Sequence, residues 1–484
     1  MNFPLVFGIV AAYFALILGV IVYARYARTG SIMPGLSEYL LASRNVPTLV
    51  LILTYVSSLF STAAVIAYPS FVFQHGIGGV MFAFLGDSIG IIFMLLFYNH
   101  LRKYALEHDL YSPIECLSHA YQNRFLGVII AGLTIIFLIP YISLQLVAMG
   151  RFLEGLSDGQ IGYLGGVGFM MAVVMVYVLI GGMRAVAFTD AVQGLAILIG
   201  FSGGLLFLAY HYWDGPVHMW QDVTSRRPEH MSLPGPQGQF TLLYFMTSTV
   251  MLIGLFFQPQ LLTRGLMARD KKQINAMAAG LFLSILIYTP MTILYALGAS
   301  VIFGQEVEAN AIVGKMFAEM AGINLIGVIL CALFLVGAIG ASMSTADSML
   351  LTIGQMTSRD VIRPFRDINR KRQLFVSKLV MGLTMFGAFI FGLNPPAVMI
   401  DLALMSIAAA CAIVPTYLGF QWRYKSTLAA YLSVITGTII LMGIEFFGWP
   451  AYGMHEGFVT LLVSSLVYVS GCFISRRCSM ESPS

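Results

Sequence analysis

Residues 337–351 read GAIGASMSTADSMLL, inside an apolar segment at about 322–354 that is long enough to cross a membrane as helix. A helix surrounded by lipid has no use for clustered hydroxyls, so small and polar residues at one depth mark a packing seam or a solute site. Small-residue packing is the plain reading. The functional one starts from Ser344 and Thr345, two hydroxyl oxygens one helical turn beyond Ala341. A small hard cation such as sodium takes hydroxyl and carbonyl oxygens, and unwound helices in transporters free carbonyls for that use.

The rest of the chain extends the membrane reading. Of its 484 residues, 58% are hydrophobic and only 10% charged, with a mean hydropathy of +0.85; soluble domains carry about 25% charged residues. Spans are expected near 4–24, 48–69, 78–98, 126–148, 160–181, 188–210, 239–259, 276–303, 322–354, 376–394, 397–420, 427–447 and 456–475, thirteen helices in all. The first apolar run has no basic residue before it and Arg25 and Arg28 after it, the reverse of a cleavable signal peptide, so it should stay as a helix.

Lysine and arginine should gather in alternate loops on the cytoplasmic side. Of the 26, all but Arg151, Arg226, Arg227 and Lys315 fall in such loops, among them Arg44, Arg264, Arg359 and Arg366. The expected topology is a multi-pass inner-membrane protein with its amino terminus outside and its carboxyl terminus cytoplasmic. The net charge of +4 is no argument for nucleic acid, and five scattered cysteines suggest neither a disulfide framework nor a zinc site. The largest outer loop, about 211–238, reads as a surface connection, and the tail after Arg477 is too short for an enzyme domain.

Three more stretches depart from plain hydrophobic helix. TYVSSLFST (54–62) puts hydroxyls mid-membrane in the second span, with Pro69 beyond, and invites unwinding at that depth. GGMRAVAFTDAVQG (181–194) breaks the chain at a glycine pair and places Asp190 at the start of the next helix, where an acid suits the helix dipole. FFQPQLLTRGLMARDKK (256–272) interrupts its span at Gln258, Pro259 and Gln260; proline disrupts a helix, and two glutamines at the break are candidate solute ligands or a helix-end turn. Asp87 and Asp347 are expensive in lipid and should face the protein interior, Asp347 on a face neighbouring that of Ser344.

Together with EYLLASRNVP (38–47) and YSPIECLSHAYQNRF (111–125), these stretches resemble the sodium:solute symporter family over nearly the whole chain. The resemblance implies an all-α fold of the leucine-transporter type, with five-helix inverted repeats at about 46–210 and 239–420. Peripheral helices would occupy 1–25 and 427–476. It also implies a sodium site built from the carbonyls of Val56 and Leu59, the carbonyl of Ala341 and the hydroxyls of Ser344 and Thr345. Ser57, Ser58, Thr62, Tyr141, Gln145, Gln258 and Gln260 are the candidate solute ligands, and Arg44, Asp190 and Asp347 are coupling or structural positions. Some members carry an aspartate where this chain has Ser58. FFQPQLLTR and PYISLQL (140–146) look most like the family's monocarboxylate branch, and that resemblance implies a small carboxylate or amino acid as solute.

The expected function is therefore sodium-coupled symport of a small organic solute by alternating access, with sodium as the coupling ion and no other cofactor. Proton coupling on the same fold and a solute-sensing membrane receptor are the alternatives. An enzyme is not expected, because the chain shows no metal-ligand spacing, nucleophile motif or phosphate loop.

Overall fold

The computed structural model describes residues 44–59, 61–180, 183–304, 306–363, 369–396 and 398–481, with a few isolated positions. The expected first helix, Phe60 and Arg366 lie outside this description, as do the side chains of 183–188 and 190–192. Among the described residues every regular element is helical.

The second expected span is two half-helices, α1 (Thr48–Leu59) and α2 (Tyr68–His75), joined through a π-helical turn at Ala63–Ala67 and bent by 50°. Then come α3 (Gly78–Glu107), a short α4 (Pro113–Ala120), α5 (Arg124–Leu156), α6 (Tyr163–Ile180) and α7 (Met183–Trp213). After α8 (Pro216–Arg226) a second broken span follows, α9 (Leu242–Met251) and α10 (Ile253–Phe256) leading into α11 (Pro259–Met267) at a bend of 51°. The chain continues through α12 (Lys271–Ile302), α13 (Ile312–Ile323), α14 (Leu325–Met356) and α15 (Arg370–Leu393). A third broken span, α16 (Asp401–Cys411) and α17 (Val414–Leu418), bends by 46° and precedes α18 (Thr427–Phe447) and α19 (Glu456–Glu481). Each expected span after the first falls on one of these helices or bent pairs.

Short polar residues set the helix starts. Asn123 caps α5 by accepting from the Leu126 amide, Asp270 caps α12 through the Gln273 amide, and Asn324 caps α14 through the Gly327 amide. The Asn324 cap divides the segment expected at 322–354, which therefore begins as α14 at Leu325, with α13 a separate helix before it. α5, at 33 residues, is about 50 Å long and so must tilt or project beyond a core of roughly 30 Å.

At the centre, α14 lies along α7 with little side chain between them. A Cβ on Gly200 would sit 2.4 Å from the Phe334 amide nitrogen, one on Gly337 2.4 Å from the Ile197 nitrogen, and one on Gly340 2.4 Å from Gln193 Cγ. The glycines of the GAIGA run are thus the packing seam of this pair. Beyond the seam, Phe317 and Phe334 stack with centroids 3.9 Å apart, and Phe201 and Tyr295 stack at 4.4 Å, tying α13, α14, α7 and α12 together.

Three sequence expectations change here. α7 begins at Met183, so Asp190 lies about two turns inside the helix, not in its first turn. The 211–238 loop is folded and packed: Met219, Val223 and His230 are buried, and the His230 carbonyl accepts from the Ile77 amide. Arg264, expected in a cytoplasmic loop, is 1% exposed in the half-helix α11.

Candidate functional site

Two hydroxyls of GAIGASMSTADSMLL, those of Ser344 and Thr345, point at α1. Ser344 Oγ lies 3.0 Å from Ser57 Oγ, and Thr345 Oγ1 donates to the Ser57 carbonyl at 3.4 Å. Ser344, Thr345 and Ala341 are all at most 3% exposed. Val56, Ser57, Ser58 and Leu59 form the last turn of α1, the carbonyls that a helix leaves without an intrahelical donor and that carry the negative end of its dipole. Two hydroxyls on one helix thus meet the open carbonyl end of another. Ser58 Oγ is turned instead to the Thr54 carbonyl of its own helix, at 2.8 Å.

Beyond this contact the chain breaks, and a second polar group surrounds the break. Thr62 Oγ1 donates to Gln145 Oε1 at 2.7 Å, while Gln145 Nε2 donates to Ser61 Oγ and to the Tyr141 carbonyl, each at 3.4 Å. Ser342 Oγ, on α14, donates to the Gln145 carbonyl at 3.1 Å. Pro140 precedes Tyr141 inside α5, and Tyr141 and Gln145 are one turn apart on its buried face. Thr62, Tyr141 and Gln145 are therefore brought together as the sequence suggested, by α5 running past the first break.

Gln258 and Gln260 form a third group at the second break. Gln258 has extended backbone (φ −67°, ψ 139°) and Pro259 starts α11, so the proline opens a new helix where the old one ends. Gln260 Nε2 donates to Gln258 Oε1 at 2.6 Å, and Gln258 Nε2 donates to Ser406 Oγ of α16 at 3.2 Å. Gln260 Oε1 is buried without a hydrogen-bond partner among the described residues. A cavity of about 20 Å³ beside Gln258 and Ser406, lined also by Phe137 and Leu138 of α5, has room for one water.

Arg264 joins these parts, and the sequence reading missed it. Its Nε donates to the Thr54 carbonyl at 3.1 Å, and its Nη2 to Thr54 Oγ1 at 3.3 Å and to Ser348 Oγ at 2.6 Å. Ser348 Oγ in turn donates to the Ser344 carbonyl at 2.5 Å, so the guanidinium is one hydroxyl away from the α1–α14 contact. The only signal for it in the sequence is its place in the turn after Pro259, which a count of loop charges assigns to the wrong side of the helix end.

The remaining positions lie apart from these groups. Arg44 has a left-handed backbone (φ 53°), and its Nη2 donates to the Leu110 carbonyl at 2.9 Å, anchoring the segment before α1. Burial lowers its basicity, against the opposing pull of Tyr111 and Asp109. Asp347 is wholly buried in α14. Below it, Ser112 Oγ donates to Asp360 Oδ2 at 2.7 Å and Arg359 meets Glu115 at 3.3 Å, tying α4 to the end of the α14 span.

Helices broken at mid-membrane, with polar side chains and helix ends turned inward at the breaks, define a secondary transporter. The profile of the "Sodium:solute symporter family" matches residues 39–437, and the chain belongs to that family. It is 26% identical over 482 residues to the sodium/pantothenate symporter of Escherichia coli strain K12, covering 95% of this chain and 94% of that one. It is 24% identical to an osmoregulated proline transporter of Bacillus subtilis strain 168, covering 89% of each. Among solved structures, a substrate-bound, outward-open sodium-coupled sialic acid symporter superposes with a TM-score of 0.78 at 14% identity, covering 97% of this chain and 96% of that one. MhsT in complex with L-phenylalanine superposes with a TM-score of 0.56 at 13% identity, covering 87% of this chain and 99% of that one. The fold is that of the leucine-transporter type, and the protein is a multi-pass, sodium-coupled solute symporter.

Proposed function

We propose that this symporter imports a small solute bearing a carboxylate, anionic or zwitterionic, across the inner membrane, with sodium bound between α1 and α14. The observation that carries the ion site is the meeting of Ser344 and Thr345 with the last turn of α1. Sodium would take the hydroxyls of Ser344 and Thr345, the Ala341 carbonyl, and the Val56 and Leu59 carbonyls at the open end of α1. The Ser57 carbonyl, which Thr345 already touches, is a further oxygen in that turn.

The solute would bind beside the ion at the breaks, against Thr62, Tyr141, Gln145, Gln258 and Gln260, with Ser57 and Ser58 on the ion side. Repeat one, about 46–210, and repeat two, about 239–420, would rock against each other around this fixed site. Asp190 and Asp347 remain coupling or structural positions, and the amino terminus would lie outside. The carboxylate is supported by two relatives whose names specify pantothenate and proline, both carboxylate-bearing.

Uptake of labelled pantothenate and proline into proteoliposomes, driven by a sodium gradient and compared with potassium and proton gradients, tests this. Accumulation of either solute only with sodium is expected. Accumulation driven equally by protons would remove sodium as the coupling ion, and solute binding without counterflow would make the protein a receptor.

A further inference from the structure

Tyr98 of α3 and Tyr55 of α1 are each at most 1% exposed, and their rings meet edge to face with centroids 6.4 Å apart. The Tyr98 hydroxyl donates to the Phe256 carbonyl at 2.7 Å, and its oxygen lies 3.3 Å from that of Tyr55. A phenol carries one proton. Because the proton of Tyr98 points at Phe256, Tyr55 is the donor within the pair, and the chain of bonds runs from Tyr55 through Tyr98 to the Phe256 carbonyl.

The two ends of this chain lie at the two breaks. Tyr55 immediately precedes Val56 in α1, and Phe256 closes α10 two residues before Gln258. The Phe256 carbonyl is among those that a helix end leaves without an intrahelical donor, so a side chain of another helix can hold it. Close packing brings Tyr98 there. A Cβ on Gly265 of α11 would fall 2.7 Å from Tyr98 Cδ2, and one on Gly90, two turns before Tyr98 in α3, would collide with the Phe256 ring. Arg264 binds Thr54 from α11, after the break, whereas Tyr98 holds the end of α10, before it.

We propose that Tyr98 is a positioning residue that carries ion occupancy at the end of α1 to the solute group at the second break. Sodium drawing on the last carbonyls of α1 stiffens the helix end that bears Tyr55. The two phenols pass that order to the Phe256 carbonyl, and so to the turn from which Gln258 and Gln260 project. The inference rests on the sodium-coupled reading above and deepens it, since it gives the coupling between ion and solute a physical route.

Hydrogen–deuterium exchange of the purified full-length chain, in sodium and in potassium without solute, reads the two ends separately. Residues 48–59 report α1, and residues 253–258 report the end of α10, where the Phe257 and Gln258 amides donate to the Gly254 and Leu255 carbonyls. In the parent, sodium should slow exchange in both segments. Tyr98→Phe keeps the ring and removes the hydroxyl. It should keep the slowing at 48–59 and cut that at 253–258 about fivefold or more, the effect of two hydrogen bonds at the low end of their range. Tyr55→Phe breaks only the first bond and should cut the slowing at 253–258 about twofold or more, with no further loss when it is added to Tyr98→Phe. It also decides the matter should Tyr98→Phe fail to fold. An unchanged ratio of sodium to potassium rates at 253–258 overturns the proposal, because a hydroxyl that only packs would speed exchange equally in both salts. Loss of the slowing at 48–59 in Tyr98→Phe, or a parent slowed at 48–59 alone, overturns it too and leaves the ion site standing. A parent with no slowing at 48–59 refutes the ion site and the proposal with it.

Discussion

Replacing Arg264 by glutamine should loosen the packing of α11 against α1 and α14. Of four guanidinium bonds among the described residues, the one to the Gln260 carbonyl stays within α11, while those to Thr54 and Ser348 cross to α1 and α14. Hydrogen bonds from a charged group contribute about 1.5–3 kcal/mol each, so of the three that cross, counting only one to each helix gives roughly 3–6 kcal/mol. The partners left behind are not stranded: Thr54 O still accepts from Ser58, and Ser348 Oγ still donates to Ser344 O. If α11 parts from α1 and α14 when the inner side opens, losing the lower figure shifts that equilibrium by roughly 150-fold.

Thr352, one turn beyond Ser348 on α14 and 1% exposed, reports the opening. As the only cysteine of an otherwise cysteine-free chain, Thr352→Cys should react with a charged maleimide at least tenfold faster when Arg264→Gln is added. Arg264→Lys should not restore slow labelling, because a point charge cannot bridge Thr54 and Ser348 together. Labelling at the parental rate in Arg264→Gln, with uptake intact, would refute this role for Arg264.

Replacing both Gln258 and Gln260 by alanine should weaken solute affinity about five- to 150-fold by direct binding, with little change in protein abundance; unchanged affinity would return them to a helix-end turn that holds Ser406. For orientation, Gln237→Cys, on an exposed stretch, should be labelled by an impermeant reagent only from outside, and Lys371→Cys only from the cytoplasm. Gly235 is unsuited to that test, because a Cβ there would lie 2.1 Å from the His75 carbonyl.

The spans were legible because each needs about twenty apolar residues, a signal that survives without knowledge of packing. Two of the three breaks were legible from local chemistry: hydroxyl crowding at 54–62 and Gln-Pro-Gln at 258–260. The third, between Cys411 and Val414, has only Pro415 just beyond it and falls in an apolar run that reads as continuous helix. The GAIGASMSTADSMLL stretch is divided by helix face: Gly337 and Gly340 meet α7 as the packing seam, while Ser344 and Thr345 meet α1. Arg264 was misplaced because loop-charge counting assumes that a basic residue beyond a break has left the membrane, whereas α11 stays buried in the core.

The central claim is that sodium binds where Ser344 and Thr345 meet the end of α1, and Thr345→Val tests it most directly. Valine keeps the shape of threonine and deletes the oxygen. The sodium concentration for half-maximal solute uptake should rise at least tenfold, while solute affinity at saturating sodium largely recovers, because a weaker ion site lowers solute affinity only through the shared coupling energy. Uptake by Thr345→Val with the sodium dependence of the parent would contradict the account and reduce that hydroxyl to packing.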